Sequence, residues 1–253
     1  MKKIAIIGVG KLGTSIFRLL NKNPNHTVTI VDHNPVMLSV GRVHSLDNVD
    51  KLKGEYDTTI ISVKPSDAID MSRKLYLNNK FKTSKIMSAM AGVNVKTLKY
   101  MFPKNDITRL MPNLSIINGN GLTCIYHPLG HTIGASNLFI GGGRVIHMDR
   151  EQDIDIATCI GSSGPAYFLK MMETMASEGR EMGLSPCTSM MLAKEALRCA
   201  HSLSESNTSI NDIASPNGIT EKGLEILEKH KFTEIIKDVL KTSLDRTNNI
   251  FSL

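Results

Sequence analysis

The chain has 253 residues, 41% of them hydrophobic and 21% charged, with 30 Lys and Arg against 24 Asp and Glu for a net charge of +6. That length accommodates one large domain or two of ordinary size, with enough apolar mass for a real core. The basic residues are scattered with few aromatics between them, which argues for a small anionic ligand and against a nucleic-acid groove, and no apolar run approaches the length of a membrane span.

The chain opens with a short apolar strand, Ile4–Ile7, that flows into Gly8-Val9-Gly10-Lys11-Leu12-Gly13. An amphipathic helix follows, with Leu12, Ile16, Leu19 and Leu20 on one face, and then a second strand, Val28–Val31, closed by Asp32. A G-x-G-x-x-G run between a strand and a helix, with an acid after the next strand, is the pattern of a dinucleotide site. Gly8 permits the tight turn and Gly10 lets the backbone approach the pyrophosphate. Gly13 lets the helix pack closely, so that its N-terminal amides face the phosphates. Val9, Lys11 and Leu12 complete the loop. Asp32 is placed to accept from both ribose hydroxyls and to repel a 2′-phosphate. From Asp32 to Met37 there is no Arg or Lys to attract that phosphate, although His33 and Asn34 offer donors. The expected cofactor is NADH or NADPH, with NADH favoured.

Further strands are expected at Thr58–Val63, Lys85–Ala89, Thr108–Met111 and Gly121–Ile125, alternating with helical or loop segments as in a parallel sheet with crossover helices. Ligands of such sheets sit beyond the carboxyl ends of the strands. Ser62-Val63-Lys64-Pro65, Ser88-Ala89-Met90-Ala91-Gly92-Val93 and Arg109-Leu110-Met111-Pro112-Asn113 should therefore line one crevice with the glycine loop. Gly141-Gly142-Gly143 reads as a turn into an edge strand, Arg144–Met148.

From Asp149 onward the period becomes helical. Ile154, Ile156 and Ile160 begin a pattern that breaks at Gly161-Ser162-Ser163-Gly164-Pro165. Pro165 suits the first turn of a long helix towards Gly183, and Ser185-Pro186 opens another to about Ser204. After a polar loop, Thr220–His230 and Thr233–Asn248 read as two more helices. The fold class is thus α/β: a Rossmann-type dinucleotide-binding domain over residues 1–150, then an all-helical domain over 151–253. The 14 Met residues suit gap filling between helices, and an apolar helical half of this size is expected to bury a face against a second copy.

Within that half, Ser215-Pro216-Asn217-Gly218-Ile219-Thr220 leads into a helix. A helix start exposes free N–H groups and positive dipole, a cradle for a carboxylate, with Ser215 and Thr220 adding hydroxyls. From local sequence alone, Thr220 reads as the helix cap. Cys124, Cys159, Cys187 and Cys199 show no C-x-x-C spacing and read as reduced thiols. The first apolar run is only four residues long, unlike a signal peptide, so a cytoplasmic protein is expected. Cys124, His127 and His131 are close in sequence, but Pro128 and Gly130 oppose a helix that would align them, and no metal is expected.

Taken in order, Gly8–Gly13, Val63-Lys64-Pro65, Ala91-Gly92-Val93, Arg109–Asn113, Ser163-Gly164-Pro165-Ala166-Tyr167, Glu173, Glu178-Gly179, Met182-Gly183-Leu184, Ser215-Pro216, Gly218, Thr220 and Gly223-Leu224 resemble the pyrroline-5-carboxylate reductase family over nearly the whole chain. The resemblance implies hydride transfer from NAD(P)H to the C=N bond of 1-pyrroline-5-carboxylate, giving proline, and a helical domain that dimerises. It implies that the backbone amides of Ser215, Asn217, Gly218, Ile219 and Thr220 hold the substrate carboxylate, and that Thr220, the expected catalytic residue, lies by the ring nitrogen. It also places Val63, Lys64, Pro65, Ala91 and Gly92 along the cofactor. The chain departs from the family's usual Ser-Pro-Gly-Gly-Thr-Thr at Asn217 and Ile219, and Asn217 is suited to keep the turn because Asn tolerates positive φ. These changes leave two alternatives open, a reductase of a related cyclic imine carboxylate and a non-catalytic NAD(P)-binding regulator. A hydroxyacid dehydrogenase of similar layout would instead use a Lys such as Lys170 on the first long helix.

Overall fold

The computed structural model describes residues 1–33, 43–45, 52, 54–78, 81–206 and 208–251; Asn34 and the stretch beyond it to Met37 lie outside them. The described chain divides into two compact units, 1–162 with 244–253, and 163–243. The first holds eight strands: β1 (Lys2–Ile7), β2 (His26–Asp32), β3 (Val43–Ser45), β4 (Thr58–Ile61), β5 (Lys85–Ser88), β6 (Ile107–Pro112), β7 (Gly121–Tyr126) and β8 (Gly143–His147). They form one sheet in the order β3-β2-β1-β4-β5-β6-β7-β8. The order reverses between β1 and β4, where a doubly wound sheet opens a crevice at its carboxyl edge.

Side chains alternate across this sheet and both faces are covered. Ile4, Ile6, Ile30, Ile60 and Met87 pack against α1 (Lys11–Leu20) and α4 (Ile133–Phe139). Ala5, Ile7, Val31, Ile61 and Ile86 face the other way, onto α2 (Ala68–Tyr76) and α3 (Val95–Met101). Each fully buried Ile contributes about 1.5–3 kcal/mol relative to exposure. Those two layers hold the strand ends at fixed heights.

The expected strands are present, with two corrections to the sheet. β7 runs antiparallel to β6, with Arg109 opposite Tyr126 and Pro112 opposite Thr123. A parallel neighbour needs a crossover of about a dozen residues or more, and the short link from Asn113 to Asn120 holds only a 3-10 stretch, Leu114–Asn118. β3 and α4 are additional elements. α5 (Glu151–Ala157) folds with the sheet and continues into a π turn, Thr158–Ser162.

The second unit is helical: α6 (Gly164–Glu181), α7 (Pro186–Glu205), the one-turn α8 (Ile210–Ile213), α9 (Ile219–Lys229) and most of α10 (Phe232–Asn248). α7 begins as expected, with Ser185 accepting from the Thr188 N–H and Pro186 at the first helical position. Only Gly164 and Ala176 of α6 are buried, and only Ser189 and Ala193 of α7. Phe168, Leu169, Met171, Met175, Met191 and Leu192 are exposed in the single chain. Among the described residues no helix is long and apolar enough to cross a membrane.

Candidate active site

The glycine loop leaves β1 at the strand-order reversal and enters α1. Gly8 has φ +91°, and a Cβ there would lie 2.8 Å from both the Ser62 carbonyl carbon and the Val63 nitrogen. A Cβ on Gly13 would overlap the Gly8 carbonyl oxygen, so α1 approaches β1 as closely as only glycine permits. Around Gly10 the situation is opposite: nothing lies within 4 Å of where its Cβ would be. Gly10 is the N-cap of α1 and no side chain caps that helix. A close-packed base, an open middle and an uncapped helix start make a cradle that fits a pyrophosphate.

Two ties hold the loop that the motif alone does not reveal. Asp32 Oδ2 accepts from the Val9 N–H at 2.7 Å, and Ser62 Oγ donates to the Gly8 carbonyl at 2.7 Å. Thr14 Oγ1 adds a third, to the Val9 carbonyl at 3.0 Å. Asp32 therefore stands against the loop itself, while Lys11 points to solvent and Leu12 and Val9 rest on the α1-side core. Ser62 was legible only as part of a strand end; its anchoring role needs the β1–β4 pairing.

On the same edge, Val63 packs on the core beside α2, Lys64 is exposed in extended conformation, and Pro65 starts a 3-10 turn, Pro65–Asp67. Ala91 and Gly92 follow β5 and are half-buried, with Gly92 at φ +70°. Their loop ends in a cap: Asn94 Oδ1 accepts from the Thr97 N–H at 2.8 Å, starting α3. Arg109, 1% exposed, does not reach the edge but lies under it. It bonds Asp155 Oδ1 at 2.6 Å and Glu151 Oε1 at 3.1 Å, and Glu151 Oε1 also accepts the Val95 N–H at 2.5 Å. This knot joins β6, α5 and the start of α3. A buried guanidinium is tolerable because two carboxylates share it.

The Ser215–Thr220 segment belongs to the helical unit and makes a tight turn. Asn217 has φ +58°, the left-handed conformation expected of it, and its N–H donates to Glu221 Oε2 at 2.7 Å. The Gly218 N–H donates to the Ser215 carbonyl at 2.9 Å. Gly218 is the N-cap of α9, and Thr220 is the second residue of the helix rather than its cap. The reason is the left-handed Asn217, which turns the chain early enough for helical geometry to begin at Ile219. A Cβ on Gly218 would overlap Ser215 Oγ, which explains glycine there. Two of the loop's amides are thus engaged within the chain. Ile219, Thr220 and Glu221 head a helix that has no side-chain cap. Ser215, Asn217, Ile219 and Thr220 are all exposed, Ile219 at 96%.

The histidine pair is engaged elsewhere. His127 Nδ1 accepts from the Leu129 and His131 N–H groups, so its Nε2 carries the proton donated to Asp106 at 2.7 Å. Burial holds Asp106 up, but the hydrogen bond from His127 and the positive charge around it, Lys85 included, outweigh it and bring its carboxyl below the usual value. Burial pushes the Cys124 thiol up to about 11, which keeps it protonated and unreactive near neutrality.

Residues 151–250 match the family described as pyrroline-5-carboxylate reductase dimerisation, and residues 3–92 match that described as NADP oxidoreductase, coenzyme F420-dependent. The chain is 26% identical to the pyrroline-5-carboxylate reductase of Vibrio alginolyticus, covering 100% of this chain and 98% of that protein. It is 27% identical to the Arabidopsis thaliana enzyme of the same name, covering 98% and 95%. The Plasmodium falciparum pyrroline carboxylate reductase, solved with NADP bound, matches the fold with a TM-score of 0.86 at 20% identity over 99% of this chain and 98% of that one. The Streptococcus pyogenes enzyme matches with a TM-score of 0.79 at 24% identity, over 97% and 98%. Over its whole length the chain is similar to proteins named pyrroline-5-carboxylate reductase, and its helical half matches their dimerisation domain.

Proposed function

We propose that the protein is an NAD(P)H-dependent reductase of 1-pyrroline-5-carboxylate, yielding proline. The whole-length similarity to enzymes of that name, with the glycine cradle and the Ser215–Thr220 turn both formed, carries the reading. Gly8–Gly13 would hold the cofactor's pyrophosphate, Asp32 its ribose, and Val63, Lys64, Pro65, Ala91 and Gly92 would lie along it. When bound, the dinucleotide supplies the hydride. The protein's remaining work is orientation, because a protonated imine carbon is already electrophilic and orientation is worth about 7–11 kcal/mol of barrier.

The substrate carboxylate falls to the Ser215–Thr220 turn. With the Asn217 and Gly218 amides engaged internally, the donors best suited to it are the Ile219 and Thr220 N–H groups and the Ser215 hydroxyl. Thr220 is assigned to position the ring nitrogen and relay a proton through water, since a hydroxyl is a poor acid. Functionally, residues 1–150 serve the cofactor and 151–253 the substrate and a homodimer contact. Four free thiols suit a cytoplasmic enzyme. The carboxylate of Asp32, fixed 2.7 Å from the Val9 amide, favours NADH over NADPH by repelling a 2′-phosphate.

One steady-state series tests these assignments. Wild type should oxidise NADH with a higher kcat/KM than NADPH, and Thr220→Ala should lower kcat/KM by about tenfold to a hundredfold, the worth of one hydrogen bond to a reacting group. NADPH equal to or better than NADH would refute the role given to Asp32. Unchanged turnover in Thr220→Ala would refute the substrate placement.

A further inference from the structure

The Ala91–Gly92 loop has an unexpected neighbour. A Cβ on Gly92 would overlap the Thr247 carbonyl oxygen and would lie 2.5 Å from Ile250 Cγ2. Thr247 and Ile250 stand at and just past the end of α10, more than 150 residues along the chain, in the part of it that folds with the sheet. Thr247 is 7% exposed, and its carbonyl accepts from the Ile250 N–H at 3.4 Å, turning the chain where α10 ends. Thr247 Oγ1 lies 3.9 Å from Cys159 Sγ in the π turn, and Phe251 packs on the core cluster that contains Val93. The C-terminal turn is therefore built into the floor of the loop rather than laid on the surface.

Each other end of this loop is also fixed. Ala89 N–H donates to the Ile61 carbonyl at 2.8 Å, Asn94 caps α3, and Glu151 takes the Val95 N–H. Between these anchors, the backbone at Gly92 is packed against Thr247 and Ile250. Packed contacts of this kind do not deform continuously, since interiors are close to crystal density.

We propose that Thr247 and Ile250 are positioning residues for cofactor binding: the C-terminal turn sets where Ala91 and Gly92 stand, and so sets cofactor affinity without touching the cofactor. The proposal rests on the reading that Ala91 and Gly92 lie along the dinucleotide. Shortening Ile250 to Ala removes Cγ2, the side-chain atom nearest Gly92, and leaves the glycine cradle, Asp32 and the Ser215–Thr220 turn as they are.

The test measures NADH affinity by nicotinamide fluorescence and steady-state constants with pyrroline-5-carboxylate, for wild type, Ile250→Ala and Gly92→Ala. Ile250→Ala should raise the Kd and KM for NADH about fivefold while kcat at saturating NADH stays within about twofold, the pattern of lost binding without lost chemistry. Gly92→Ala, which drives a methyl into the Thr247 carbonyl, should raise the Kd further. Should it fail to fold, the Ile250→Ala split decides alone. An Ile250→Ala protein that melts at a lower temperature but binds NADH as wild type does would overturn the proposal, because Ile250 would then be ordinary packing. If a folded Gly92→Ala protein also binds NADH normally, the loop does not lie along the cofactor, and the reading beneath the proposal fails with it.

Discussion

Gly10 and Gly13 stand three residues apart in the same loop for different physical reasons, and their variants should separate. A methyl on Gly13 meets the Gly8 carbonyl, so Gly13→Ala must push α1 off β1; overpacking of this kind costs about 1–3 kcal/mol. Gly10 has open space on its Cβ side, so Gly10→Ala should melt at the wild-type temperature and yet lose most NADH affinity, the methyl standing where the pyrophosphate would approach. Thermal melts paired with NADH titration check this. A Gly10→Ala protein with wild-type affinity would remove the pyrophosphate from that position. The glycines were legible because their spacing is local. The hydrogen bonds from Val9 to Asp32 and from Ser62 to Gly8 were not, because they join residues 23 and 54 apart and exist only after β1, β2 and β4 have paired.

At the scale of elements, strands with continuous apolar runs were readable and short or weakly patterned ones were not. β3 has three residues, and α4 carries Gly134, Ser136 and Asn137, poor helix formers that tertiary packing of Ala135, Leu138 and Phe139 overrides. The antiparallel turn of β7 depends on link length rather than on strand composition. The same holds for the start of α9, where the left-handed Asn217 moves the cap from Thr220 to Gly218. Arg109 read as a strand-end residue, and its partners Glu151 and Asp155 lie across what looked like a domain boundary. α6 and α7 leave large apolar side chains uncovered in one chain, among them Phe168, Met175 and Met191, and clustered apolar exposure marks a protein contact. Light scattering at micromolar concentration should read at least twice the 27.8 kDa chain mass. A monomer mass would contradict the pairing of these faces.

For the whole molecule, the two-part layout was legible from the sequence: a glycine loop between a strand and a helix in the first half, and a tight turn into a helix in the second. What local patterns could not supply was the support behind each site. The edge that carries the glycine loop is held by an acid on the neighbouring strand and by a buried guanidinium, and the last turn of the chain packs against Gly92; none of these has a spacing signature. The proposed substrate rests on similarity along the full length rather than on any single residue, and Asn217 and Ile219 are where the sequence departs from the loop it resembles. The most direct measurement follows the hydride. With 4,4-dideuterated NADH and pyrroline-5-carboxylate, the proline formed should be heavier by one deuterium at the former C=N carbon and should appear in step with NADH oxidation. Binding of NADH with no labelled proline would contradict the proposed reaction and leave a dinucleotide-binding protein without this chemistry.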